Sequence, residues 1–204
     1  MIRFPSDGVR RFGFERVKKR RATGTRMEQQ GQMSLFSRPG AGIVVPLPTG
    51  MSAFDEALML DERGDRRAAE AYRKAIEDGD CTADAYCNLG VMLTSGRRGA
   101  EAFDCFKNAL KHDPRHFESH YNVGNLYFEN GELRPARLHY EIAAGIDPDF
   151  PGVFFNLGIV SAMSEEFRAA LDALTRYKEL ATADEGHKAD ELVAGLRRSI
   201  DGQS

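Results

Sequence analysis

The sequence predicts an all-α solenoid, with antiparallel helix pairs stacked one on the next and a capping helix at the C-terminal end. Three observations carry this. Asn88-Leu89-Gly90 returns as Asn122-Val123-Gly124 and again as Asn156-Leu157-Gly158, each 34 residues after the last. Asp113-Pro114 returns as Asp147-Pro148 at the same period, and Ala102 as Ala136 and Ala170. Within a copy the apolar positions fall three and four apart, as in Tyr86, Leu89, Gly90 and Leu93, which is the stripe of an amphipathic helix. A repeat of this length is one helical hairpin that cannot bury its apolar face alone and must stack on its neighbours.

In chain order, residues 1–36 form a basic arm expected to be poorly structured. Residues 1–48 hold ten Lys and Arg against Asp7, Glu15 and Glu28, a net +7, whereas the remainder carries −10. Arm and array therefore either attract each other or serve different partners. Val9–Phe14 reads as a candidate strand and Glu15–Arg21 as one or two helical turns, too short to stand alone. Residues 37–49 are a Pro/Gly-punctuated linker. Residues 50–184 are the array: a degenerate copy over 50–82, then 83–116, 117–150 and 151–184. In the degenerate copy Ala57 and Leu60 fall in a first helix, Gly64-Asp65 in the turn, and Ala68, Tyr72 and Ala75 in a second helix, with one residue lost near the turn. Gly90, Gly124 and Gly158 sit where the paired helix must approach closely, which outweighs a helix cost of about 1 kcal/mol for glycine. Asp113-Pro114 and Asp147-Pro148 end second helices, because proline disfavours helix in the residue before it. Residues 185–204 supply the cap and tail, with Ala189, Leu192, Val193, Leu196 and Ile200 facing inward.

Tyr86, Leu89-Gly90, Ala102, Phe106, Ala109 and Pro114, with their copies at the period, resemble the tetratricopeptide repeat family. The resemblance covers about three quarters of the chain. It departs at Tyr177, where a small residue is expected, and no proline closes the last unit. It implies a right-handed superhelix and a binding role, with the first helix of each pair lining a concave groove. On that face lie Asp84, Cys87, Asn88, Val91 and Ser95, then Glu118, Tyr121, Asn122, Asn125 and Glu129, then Gly152, Phe155, Asn156, Ile159 and Met163.

Asn88, Asn122 and Asn156 form a ladder of amides, one per hairpin. An amide both donates and accepts, so the ladder suits either the main chain of a bound peptide or hydrogen bonds that tie one hairpin to the next. Val91, Asn125, Tyr121, Phe155 and Ile159 are the other candidate peptide contacts. The stripe Phe54, Cys87, Tyr121 and Phe155 has no cation, which argues against the clamp on a terminal carboxylate that the family's peptide readers use. The expected function is a protein-protein interaction scaffold or adaptor that holds a peptide or partner protein in the groove. The alternative is a nucleic-acid-associated regulator, in which Arg10, Arg11, Lys18, Lys19, Arg20 and Arg21 contact phosphates while the repeats recruit protein. Self-association through an exposed Phe54 and Leu58 is a third possibility.

No phosphate loop, Ser/His/Asp arrangement or paired carboxylate of catalytic character is present, so no enzyme activity and no cofactor are expected. His112, His116 and His120 are four apart, but Pro114 interrupts them and no metal is expected. Three cysteines without metal-like spacing suit a reducing compartment, and no apolar run follows the basic start, so the cytoplasm is the expected location.

Overall fold

The computed structural model describes residues 13–18 and 51–201. Among the described residues nine helices follow one another: α1 Ala53–Glu62, α2 Ala68–Glu77, α3 Thr82–Ser95, α4 Gly99–His112, α5 Phe117–Glu129, α6 Leu133–Ile146, α7 Pro151–Met163, α8 Phe167–Leu180 and α9 Ala183–Asp201. Each packs on the next, and α3 also touches α5, so four hairpins stack in a right-handed α–α solenoid with α9 at its end.

The close approaches fall where the repeat places them. A Cβ built on Gly90 would meet the Phe106 ring at 2.6 Å, one on Gly124 the Tyr140 ring at 2.7 Å, and one on Gly158 the Leu174 Cγ at 2.5 Å. In the shorter first hairpin Ala57 holds this place and is fully buried. The hairpin turns share a second requirement. Gly64, Arg97, Gly131 and Glu165 all have positive φ, at 67°, 57°, 76° and 62°. Gly64 lies 33 residues before Arg97 instead of 34, which locates the lost residue between Gly64 and Tyr72. Asp113 and Asp147 take extended backbone ahead of their prolines and end α4 and α6.

Two expectations are corrected here. Phe54 is buried and Leu58 half-buried in the core cluster of the first two hairpins, so the first hairpin offers no exposed Phe54 for self-association. Glu15–Lys18 is not helical; its main-chain groups are turned toward the array instead.

The cap also explains the departure at Tyr177. That ring is buried edge-on to Phe155 at 5.0 Å between centroids, and its hydroxyl donates to the Glu185 carbonyl at 2.9 Å. Ala189, Leu192, Val193 and Leu196 of α9 complete the same cluster. The large residue thus joins the last hairpin to the cap, where the preceding copies use alanine to admit another hairpin.

Candidate peptide-binding groove

Residues 13–18 lie along the first helices of the second and third hairpins. The Oδ1 of Asn122 accepts from the Glu15 amide at 2.8 Å, and its Nδ2 donates to the Glu15 carbonyl at 2.7 Å. Asn88 repeats the arrangement on Val17, accepting from the amide at 2.8 Å and donating to the carbonyl at 3.0 Å. Asn125 donates to the Gly13 carbonyl at 3.0 Å. Held groups on alternate residues are what an extended chain presents to one side. Two rungs of the array, 34 residues apart in sequence, thereby meet two residues of the segment that are two apart.

The amides are themselves held. Asn88 Nδ2 also donates to the Tyr72 hydroxyl at 3.1 Å, and that hydroxyl donates to Asp61 Oδ2 at 3.1 Å. Asp61 Oδ1 accepts from the Arg16 guanidinium at 2.7 Å. A closed set of bonds therefore surrounds Arg16 and Val17. Burial, then the Asp61 carboxylate, pushes the Tyr72 hydroxyl well above its ordinary value, so it remains a donor. On the next rung Asn125 Oδ1 accepts from the Tyr140 hydroxyl at 2.7 Å and from Asn156 Nδ2 at 3.1 Å, while Asn156 Nδ2 also donates to the Tyr121 hydroxyl at 3.0 Å. Every buried side-chain nitrogen and oxygen among the described residues has a partner.

Side chains add to the main-chain grip. Val17 is 2% exposed and belongs to the cluster of Phe54, Ala57 and Tyr72. Phe14 lies parallel to the Phe106 ring at 6.4 Å. Lys18 is exposed and pairs with Glu15 at 3.1 Å. Five main-chain bonds contribute about 0.5–1.5 kcal/mol each, and burying the Val17 side chain about 1.5–3 kcal/mol. Ordering six residues costs about 1–2 kcal/mol each. The two sides are of similar size before the Arg16–Asp61 pair and the Phe14 contact are added.

The remaining candidates fall as follows. Val91 and Ile159 are buried in the cores of their own hairpins. Tyr121 is packed among Phe117, Tyr140 and Phe150 at 5.5–6.0 Å, and Phe155 lies against Tyr177; both are buried. Cys87 is buried, and that burial pushes its thiol far up, so it is no nucleophile. Asp84 accepts from His116 Nε2 at 2.8 Å, while His116 Nδ1 caps α5 by accepting from the Ser119 amide. His120 is turned to Pro114 and His139, and no group of metal-ligating side chains occurs among the described residues. Of the proposed phosphate contacts only Lys18 is described; Arg10, Arg11, Lys19, Arg20 and Arg21 lie outside the described residues. Among those described, no helix is long and apolar enough to cross a membrane. Asp61, Tyr72 and Gly13–Val17 were not singled out from sequence as site residues; the opposed charges of arm and array were the signal that joined them.

Comparison with known proteins agrees with this geometry. The tetratricopeptide repeat family model matches residues 105–136. The BBSome complex member BBS4 of Bos taurus is 25% identical over 118 residues, 58% of this chain and 23% of that protein. The chain spans less than a quarter of the length of the curated relatives it matches. Among solved structures, MamA (residues 41 to the end) from Desulfovibrio magneticus RS-1 is similar at a TM-score of 0.62 and 17% identity, over 74% of this chain and 87% of that one. The first TPR of Spaghetti (RPAP3), bound to the HSP90 peptide SRMEEVD, is similar at a TM-score of 0.54 and 16% identity, over 58% and 93%. Period, close-approach glycines and hairpin stacking are those of the tetratricopeptide repeat fold, which the match over residues 105–136 and the structural likenesses also support.

Proposed function

We propose that the chain is a protein-protein interaction scaffold, an adaptor without catalysis of its own, that holds an extended peptide segment of a partner in its concave groove. One observation carries this. Asn88 and Asn122 each turn both polar atoms of one amide onto a single backbone residue, a geometry that grips main chain whatever the side chains. A peptide is also the occupant of the first TPR of Spaghetti, a structure of this fold. None of the three cysteines is in a disulfide, which supports a reducing compartment such as the cytoplasm.

The test is an immobilised peptide library probed with the full chain and with the Asn88→Ala/Asn122→Ala variant. Binding of a subset of peptides by the wild type, lost in a variant that keeps its helical content, is the expected result. Equal binding by both proteins would move the interaction surface away from the groove.

A further inference from the structure

We propose that residues 13–18 are a resident ligand of the groove, and that the partner peptide is one that shares their pattern: an aromatic residue, any residue, an arginine, then a small branched apolar residue. This rests on the groove reading above and names its specificity. The main-chain bonds from Asn88, Asn122 and Asn125 set direction and register but carry no sequence information. Sequence enters at three side chains. Arg16 bonds the Asp61 carboxylate, whose side chain is only 8% exposed and which already accepts from Tyr72; a neutral residue there leaves a nearly buried carboxylate without its cation, and an acidic one sets two like charges together. Val17 is buried in the apolar cluster of Phe54, Ala57 and Tyr72, where a charged side chain would lose its water without a partner. Phe14 lies over Phe106. Glu15, between them, bonds the array through its backbone, and its half-buried side chain pairs with Lys18 of its own segment, so among the described residues no side-chain bond to the array fixes the residue type there.

The charge balance points the same way. A basic segment rests on residues 49–204, which carry a net charge of −10, so the preferred peptide is basic. Because the segment belongs to the same chain, a partner competes against an intramolecular effective concentration. The groove therefore answers to a partner of matching pattern, or to one present at high concentration, and stays shut to extended peptides in general.

The experiment uses full-length protein in which the segment is weakened by Arg16→Ala and Val17→Asp. The probe is a labelled synthetic peptide with the sequence of residues 11–20, followed by fluorescence anisotropy. The weakened chain is expected to bind at least tenfold more tightly than the wild type, and Asp61→Asn in the weakened chain to erase its preference for this peptide over one carrying alanine for arginine. Equal affinity of wild-type and weakened chains overturns the resident ligand. Equal affinity for a scrambled peptide, still dependent on Asn88 and Asn122, overturns the pattern and leaves the groove reading standing. Binding that survives Asn88→Ala/Asn122→Ala overturns the groove reading itself. A wild-type dimer that becomes monomeric on Val17→Asp would assign the segment to the groove of a second copy, and would also refute competition within one chain.

Discussion

Gly124→Ala tests whether close helix approach organises both the array and the groove. The added methyl would stand 2.7 Å from Cδ1 and Cε1 of Tyr140 and 3.2 Å from its Cζ, against about 3.5–4.0 Å for a comfortable carbon contact. The ring has little freedom to withdraw. It is buried, it lies 5.8 Å from the Tyr121 ring, and its hydroxyl is bonded to Asn125 at 2.7 Å. Overpacking of this kind costs about 1–3 kcal/mol, and helix propensity returns about 1 kcal/mol. The net is a loss of up to about 2 kcal/mol, which lowers the melting temperature by up to roughly 8 °C in a chain of this size. Displacing Tyr140 also loosens Asn125, the donor to Gly13, so the segment should exchange hydrogen faster. Gly195→Ala is the control: it sits within α9 with nothing within 4 Å of the new Cβ and should gain up to about 1 kcal/mol. Thermal melts by circular dichroism read both. A Gly124→Ala chain that melts at or above the wild type would refute the reasoning.

Other consequences follow from the turns, the cap and the histidines. Arg97 and Glu165 occupy left-handed backbone that Gly131 occupies at the equivalent turn. That conformation costs a side-chain-bearing residue roughly 1–2 kcal/mol, partly offset by the unfolded-state entropy of glycine, so Arg97→Gly should be neutral to about 1 kcal/mol stabilising, and Gly131→Ala destabilising, in denaturant titrations. Leu196→Ala, which opens the buried contact of α9 with Leu174 and Tyr177, should cost about 2–5 kcal/mol; an unchanged melting point would show that α9 caps nothing. Burial holds His139 down at about 4 and lowers His120 as well. His120 Nε2 faces the Pro114 carbonyl and its Nδ1 faces His139 Nδ1 at 3.1 Å. One neutral ring donates to the other there, and a second proton would set two donors against each other. The unfolded chain takes its protons first, near pH 6.5 or so, so this contribution is complete above about that pH and is lost as pH falls toward 4. His139→Gln should flatten the fall in melting temperature over that window, and a variant with an unaltered pH profile would contradict the assignment.

Much of the array was legible because the repeat states each requirement several times. Gly90, Gly124 and Gly158 announce one steric demand in three places, and Phe106, Tyr140 and Leu174 supply the surfaces they meet. Even the one-residue loss in the first hairpin could be read from Gly64. The turn geometry at Arg97 and Glu165 was less visible, since neither residue advertises positive φ; only their register with Gly131 does. The groove was half legible. The asparagine ladder stood out, but an amide can bond main chain or a neighbouring hairpin, and both uses occur: Asn122 bonds the Glu15 main chain, and Asn156 donates to Tyr121 and Asn125 of the preceding hairpin. Tyr121 and Phe155 lie on the groove side by helical spacing, yet the neighbouring rings Phe117, Phe150 and Tyr177 enclose them, which spacing along one helix does not reveal. Residues 13–18 were hidden because they lack any repeat. Their fit depends on Asp61 and Tyr72, which meet across the first hairpin.

The central claim is that Asn88 and Asn122 grip the main chain of an extended segment in the groove. Hydrogen exchange resolved to single amides in the full-length protein tests it most directly. The amides of Glu15 and Val17, which bond to Asn122 and Asn88, should exchange more slowly than that of Arg16 between them, and Asn88→Ala/Asn122→Ala should remove the difference while the helices remain protected. Uniform exchange across Phe14–Lys18 at the rate of a free peptide, or protection that persists in the double variant, would contradict the account.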